Sequence, residues 1–406
     1  MKPRVITGVG VVSPVGIGRD AFFEAMRTGA RAPFDAPVES FDASAFGEAK
    51  LAEVRGFDAA KYLGERGLRT LDRLSKLLVV AARLALHDAG LKKDGGWAPL
   101  AGGRPWPDRV GLVVSNAYGS LEAISELDRI ALLEDARYIN PSRFPLTVSN
   151  TAAGYVSIWE ELRALNVSVS DGNCGALDAV ACADAFLESA RADVLLVGGA
   201  EAMSEALFVA FESLHAFGAR ARPSPPHPFA EGARLGEGAV LVALETAHGA
   251  RDRAQCGGRG SRNPLAEICG YGASFDPPPH AQSLLYASPG ALEQAMRSAI
   301  EDAGVTARDV DLVVSGISGI RPFDTAELCA IERVVGADTF VCAPKLAVGE
   351  TLGAGGAMGV LAAIAYISHG ATAYGVRGRL RSPVRTAVVT ALGYYGNASA
   401  LVVKGL

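Results

Sequence analysis

Residues 167–180 read Val167-Ser-Val-Ser-Asp-Gly-Asn-Cys-Gly-Ala-Leu-Asp-Ala-Val180. An apolar strand turns here through Asp-Gly into a helix rich in small residues. Such an elbow is where a thiol nucleophile is placed, because the positive end of a helix favours a thiolate. Cys174 lies in this elbow one residue late, so the tip falls to Asn173, whose amide is no nucleophile.

Strands and helices alternate on both sides of the elbow, which predicts an α/β chain. Val110-Gly-Leu-Val-Val-Ser115 and Ala192-Asp-Val-Leu-Leu-Val197 are continuous apolar runs ending in small residues, as buried central strands are. Residues 71–91 and 292–305 carry apolar side chains at three- and four-residue spacing, the pattern of helices lying on a sheet. A weak repeat joins these pieces. Ala85-Leu-His-Asp-Ala-Gly-Leu91 leads to Asp108-Arg-Val-Gly-Leu-Val-Val-Ser115, and Ala299-Ile-Glu-Asp-Ala-Gly-Val305 leads to Asp309-Val-Asp-Leu-Val-Val-Ser315. In each, a helix ends at a glycine placed as a C-cap and a buried strand follows. Two similar βαβ halves are therefore fused. The first spans residues 1–250 and the second 264–406, joined by an exposed Gly- and Arg-rich linker over Arg251 to Asn263. Pro223-Ser-Pro-Pro-His-Pro228 reads as a loop within the first half.

The chain has 406 residues, 49% of them hydrophobic and 20% charged, enough for a large core or two. A net charge of −5 gives no reason to expect nucleic acid or an anionic membrane surface as a partner. The N-terminus reads as a strand rather than a signal peptide, and no apolar run of about 18 residues is unbroken, so the expected location is the cytoplasm. The six cysteines, Cys174, Cys182, Cys256, Cys269, Cys329 and Cys342, include no C-x-x-C pair. Neither a metal nor a disulfide framework is indicated. Gly8-Val-Gly10 hints at a dinucleotide loop, but the third glycine and the closing acid are missing, so no cofactor is expected. The Gly353–Gly359 run is read as helix packing, not phosphate binding.

Several stretches together resemble the β-ketoacyl-acyl-carrier-protein synthases, which have the thiolase fold. They are Ile6-Thr-Gly-Val-Gly-Val-Val-Ser-Pro-Val-Gly16, Asn150-Thr-Ala-Ala-Gly-Tyr-Val-Ser-Ile158, Ala192-Asp-Val-Leu-Leu-Val-Gly-Gly-Ala-Glu-Ala202, Leu235-Gly-Glu-Gly-Ala239 and Gly393-Tyr-Tyr-Gly-Asn-Ala-Ser399. The resemblance runs nearly end to end. It implies duplicated βαβαβαββ halves stacked in five layers, α-β-α-β-α. Active members use a Cys-His-His set, because the chemistry needs a thiolate and two imidazoles around one thioester oxygen.

Each catalytic position can be placed on this sequence by that resemblance. The pattern Thr-Ala-Cys-Ala-Ser-Gly-Leu, laid without a gap on Asp171-Gly-Asn-Cys-Gly-Ala-Leu177, puts the nucleophile on Asn173. Counting back from Pro322 puts the first histidine on Ile317. The second histidine follows a lysine by five residues, and here Lys345-Leu-Ala-Val-Gly-Glu350 keeps the lysine and ends in a carboxylate. Cys174 reads as a small buried residue, and none of the six histidines stands in a matching motif. Glu350 reads as an ion-pair partner of Lys345 or, alternatively, as a general base.

The pattern is similar to that of chain-length factors, the β subunits of type II polyketide synthases. These keep the fold and carry Gln-Ala-Gly-Gly-Leu-Asp-Ala at the elbow, against Asn173-Cys-Gly-Ala-Leu-Asp-Ala179 here. The resemblance implies a non-condensing subunit paired with an active ketosynthase as a heterodimer. It would shape the tunnel for an aromatic or polyene polyketide carried on an acyl carrier protein. The segment from Asn116 to Ser157 would form much of the interface and tunnel end, lined by Tyr118, Leu121, Ile124, Phe144, Leu146 and Tyr155. A Gly-Phe-Gly-Gly gate loop has become Gly393-Tyr394-Tyr395-Gly396, stiffer and bulkier. The alternatives are an active synthase using Cys174 and a malonyl decarboxylase polarising its thioester with Asn173.

Overall fold

The computed structural model describes residues 1–46, 51–93, 96–98, 105–214, 216, 232–255, 263–280, 282–283, 285–371 and 373–406. The first half contains β1 (Arg4–Ser13), α1 (Arg19–Thr28), α2 (Arg73–Asp88), β2 (Val110–Ser115), α3 (Leu121–Ile130) and α4 (Thr151–Glu160). It continues with β3 (Asn166–Val169), α5 (Gly175–Glu188), β4 (Val194–Glu201), α6 (Glu205–Ser213), β5 (Gly238–Thr246) and α7 (Ala247–Gln255). The second half contains β6 (Ala266–Phe275), α8 (Pro289–Asp302), β7 (Leu312–Val314), α9 (Arg321–Val335) and β8 (Phe340–Cys342). It ends with α10 (Gly355–His369), β9 (Gly375–Arg377), β10 (Thr386–Leu392) and β11 (Asn397–Lys404).

The two halves repeat one another strand for strand. Hydrogen bonding runs in the order β1-β5-β4-β2-β3 in the first and β6-β11-β10-β7-β8 in the second, where β9 adds an edge. In both halves the first three strands pair antiparallel and the last three parallel. β1 also meets β6 across Arg4–Ile6, which joins the halves into one continuous path of eleven strands. The capping glycines of the repeat are both left-handed, with φ of +69° at Gly90 and +63° at Gly304. After each, Leu91 donates to the Leu86 carbonyl and Val305 to the Ile300 carbonyl, the six-residue closure of a Schellman end.

Gly8 and Gly10 lie within β1 rather than in a loop after it, and the reason is close packing. A Cβ on Gly10 would stand 1.8 Å from the Ala81 carbonyl oxygen, and one on Gly8 2.4 Å from the Ala89 amide nitrogen. Gly270 and Gly272 of β6 make the same approach to α8, each 2.2 Å from a carbonyl oxygen, of Ala299 and Ala295. The dinucleotide-like spacing is thus a strand laid against a helix, present once per half.

Five layers result. Helices α2 and α4 cover the outer face of the first sheet, and α8 and α9 that of the second. Between the sheets lie α5 and α10, which touch strands of both. Small residues make this central layer possible: a Cβ on Gly356 would already stand 3.0 Å from the Leu177 side chain. The stretch Leu352–His369 is long and apolar enough to cross a membrane, but 78% of it is buried in this central layer. The expected linker begins as helix, since Arg251–Gln255 belong to α7, and residues 256–262 lie outside the described ones. The expected Pro223–Pro228 loop, His215, His227 and Cys256 also lie outside them. The five described cysteines are free thiols.

Candidate active site and subunit surface

The elbow sits at an edge. Among the described residues β3 pairs only with β2, and its residues are half-buried or exposed. Gly172 turns the chain at φ +54°, and α5 begins at Gly175, where a Cβ would strike the Ser115 hydroxyl at 2.2 Å. The start of α5 is therefore pressed onto the end of β2. Asn173 and Cys174 are both carried into the interior.

Cys174 is fully buried, and its sulfur lies 3.5 Å from the Ala391 carbonyl oxygen. Burial pushes its thiol well above the usual range, and the Asp178 and Asp171 carboxylates push it further. Among the described residues, no imidazole is among the groups that shift it most. Asn173 lies beside it with its amide nitrogen 3.4 Å from the Leu392 carbonyl oxygen, and its Oδ1 is buried without a partner. Ile317 is fully buried in the central core cluster.

Glu350 is delivered by a one-turn helix, Lys345–Val348, that ends at Gly349 with φ +76°. A side chain at Gly349 would meet the Arg234 carbonyl oxygen at 2.9 Å, so only glycine passes here. The Glu350 backbone then bridges to the preceding segment through Arg234 and Gly236. Its carboxylate accepts from Lys345 Nζ at 2.8 Å and from the Leu352 amide at 2.9 Å. Both side chains are buried, so the pair is dry. The cavity bounded by Asn173, Lys345, Ser315, Thr390 and the Gly355–Gly359 turn has about 10 Å³ open to a water centre. That is room for about one water and no acyl chain.

Three further carboxyls near the site were not nominated from the sequence, because a lone Asp or Glu carries no motif. Burial pushes Asp178, Glu201 and Glu327 each up to about 7. Glu201 accepts from the amides of Ala117 and Tyr118 at 2.8 and 3.0 Å, tying β4 to the start of the Asn116–Ser157 segment. Glu327 accepts from Gly316 and Thr390. Asp178 accepts from Tyr271 and Ser399. Carboxyls raised in this way hold protons that the unfolded chain has already released. They contribute stability at pH 4 and below that is lost as pH rises from about 4 through about 7. The urea midpoint is therefore expected to fall between pH 5 and pH 8. Glu327→Gln, which keeps an oxygen for both donors, should flatten that fall; an unchanged slope would count against protonated carboxyls here.

The nominated lining residues differ in exposure. Tyr118 is half-exposed and faces Tyr395, and burial pushes its hydroxyl up to about 12. Ile124, Phe144 and Tyr395 are exposed, while Leu121 packs partly on the second half's core. Leu146 and Tyr394 are buried, and Tyr155 packs against the core beneath α2. The same segment exposes apolar side chains that the sequence did not single out. Leu132 is 83% exposed, Leu133 76%, Ile158 73% and Tyr138 70%, with Val148 beside them in the chain. Residues 118–158 thus carry several large apolar side chains open to solvent. Period alone could not separate them from core.

Residues 1–250 match the beta-ketoacyl synthase N-terminal domain and residues 265–375 the beta-ketoacyl synthase C-terminal domain. The chain is 29% identical over 369 residues to a 3-oxoacyl-[acyl-carrier-protein] synthase 2 of Coxiella burnetii, covering 87% of this chain and 83% of that protein. It is 30% identical over 429 residues to the tetracenomycin polyketide synthase ketoacyl synthase beta subunit of Streptomyces glaucescens, covering 99% and 98%. Its fold superposes on the ishigamide ketosynthase/chain length factor with a TM-score of 0.85 at 23% identity, covering 100% of this chain and 99% of that one. The repeated strand order, the helix-filled central layer and the elbow are those of the thiolase-like ketosynthase fold. With both domains matched over most of its length, the chain belongs to the beta-ketoacyl synthase family.

Proposed function

We propose that this chain is a non-condensing ketosynthase-like subunit, a chain-length factor. It pairs with an active ketosynthase and shapes the tunnel in which a carrier-protein-bound polyketide grows. The observation that supports this most is the state of the three catalytic positions. Asn173 offers no thiolate, Ile317 is enclosed hydrocarbon, and Glu350 is spent on Lys345. Full-length likeness to a polyketide synthase beta subunit supports the subunit role. The open edge of β3 and the apolar surface over residues 118–158 support a broad pairing face.

A condensing synthase is the second reading, favoured by the likeness to a 3-oxoacyl-carrier-protein synthase. It requires Cys174 as a thiolate, against a buried thiol that its surroundings raise well above the usual range. Decarboxylation through Asn173 requires a malonyl thioester to reach an amide in a cavity that holds about one water.

The test is to supply malonyl-carrier protein and an acyl primer to the chain alone and to the chain with its ketosynthase partner. The isolated chain is expected to form no condensation product, and Cys174→Ala is expected to leave the pair's product yield unchanged. Condensation by the isolated chain that vanishes in Cys174→Ala would overturn the proposal. Acetyl-carrier protein that forms with the wild-type chain and not with Asn173→Ala would favour the decarboxylase.

A further inference from the structure

One carboxyl group holds together two parts of this chain that lie far apart in sequence. Glu201 is the last residue of β4, beside the end of the parallel strand β2, and its side chain is fully buried. One oxygen accepts from the Ala117 amide at 2.8 Å and from the Gly353 amide at 3.2 Å. The other accepts from the Tyr118 amide at 3.0 Å. A carboxyl is costly to bury unless hydrogen bonds replace its water, and here backbone donors do so.

Ala117 and Tyr118 open the segment whose apolar side chains stand in solvent. Asn116 ties the far end of that excursion back, its side-chain amide donating to the Ser149 carbonyl at 2.8 Å. Gly353 instead belongs to the turn between Glu350 and α10. Leu352 in that turn is fully buried at φ +45°, a left-handed conformation that leucine takes only where its surroundings impose it. Glu350, gripped by Lys345, accepts from the Leu352 amide on one side, and Glu201 accepts from Gly353 on the other. The fit is close, since a Cβ on Gly353 would stand 2.7 Å from the Ala117 amide nitrogen. A continuous line of bonded groups therefore runs from Lys345 through Glu350, the Leu352–Gly353 turn and Glu201 to Ala117 and Tyr118.

We propose that Glu201 is a positioning residue for subunit pairing: through it, the turn that carries Glu350 braces the segment that meets the ketosynthase. This rests on the chain-length-factor reading and deepens it, because the buried Lys345–Glu350 pair then serves the shape of the pairing face. Such a link is established by coupling between substitutions, not by the line of contacts alone.

The experiment uses the full chain and its ketosynthase partner. Pairing is read by titration, stability by thermal melting and local opening by amide hydrogen exchange. Glu201→Gln and Glu350→Gln are each expected to weaken pairing by about 10-fold, and the double variant to weaken it no further than the stronger single. In Glu201→Gln, exchange over residues 116–149 should rise while β1 and α8 keep their wild-type protection. Glu245→Gln is the control. Glu245 is another buried carboxylate, paired with Arg253 and lying across from Val194 at the opposite end of β4. Its substitution should lower the melting temperature and leave pairing intact. Asn116→Ala releases the far end of the same segment and should repeat the Glu201→Gln pattern, so it is read in its place if Glu201→Gln does not fold. Wild-type pairing in Glu201→Gln, additive losses in the double variant, or an equal loss of pairing in Glu245→Gln at equal melting temperature overturns the brace. A wild-type chain that fails to pair counts against the functional reading, while raised exchange over residues 116–149 in Glu201→Gln still upholds the link between turn and segment. Unchanged exchange there, with wild-type pairing intact, sinks the brace alone.

Discussion

Replacing Lys345 by methionine should cost about 3–5 kcal/mol of stability, the usual penalty for removing one partner of a buried ion pair. Glu350 would then be a buried carboxylate without its charged partner, still accepting from the Leu352 amide. Burial has already raised Glu327, and Lys345 is the charge that holds it down, so the substitution also pushes that carboxyl further up. Urea denaturation near neutral pH reads the loss. Adding Glu350→Gln to the methionine variant should recover much of it, because the amide oxygen still accepts from Leu352 and no charge remains. A Lys345→Met variant within about 1 kcal/mol of wild type would mean that water reaches the pair and that the site is not dry.

The largest expected effect on assembly comes from Leu132 and Leu133. Both side chains stand out from the short helical segment Ala131–Asp135 that follows α3. Changing the pair to aspartate puts two carboxylates where a partner must exclude water, and association with the ketosynthase should weaken by about 100-fold or more. Both positions are exposed, so the melting temperature of the isolated chain should stay close to wild type. Size-exclusion chromatography of the mixed subunits, together with a binding titration, checks both parts. Undiminished pairing would place the interface on some other surface.

Much of the fold is legible in the chain because period and capping are local properties. The helical spacing over residues 71–91 and 292–305 corresponds to α2 and α8, and the repeated Ala-Gly ends are the two left-handed caps. Edges and close approaches are less legible. Val167 and Val169 read as an apolar strand, and nothing in four residues says how many neighbours that strand will have; among the described residues β3 ends the sheet. Gly8 and Gly10 imitated a loop because the helix that requires them lies more than 70 residues away. At the candidate site, motif counting supplied Asn173, Ile317, Lys345 and Glu350. Counting could not supply Tyr394's depth, which depends on Phe211 and Phe323 from other elements. Nor could it supply Leu132 and Leu133, since an apolar residue looks alike whether a core or a partner covers it.

The doubled strand order bears on how such a chain can change over generations. Each half supplies one helix to the central layer, and each of those helices answers to two sheets at once. Drift there is checked twice. Asn173, Ile317 and Glu350 instead lie beyond strand ends and before helix starts, where a side chain can be exchanged while both sheets keep their order. An ancestor could therefore shed its chemistry one loop at a time and remain the same solid object, still able to dock. This architecture puts its turns where shape can be inherited independently of reaction.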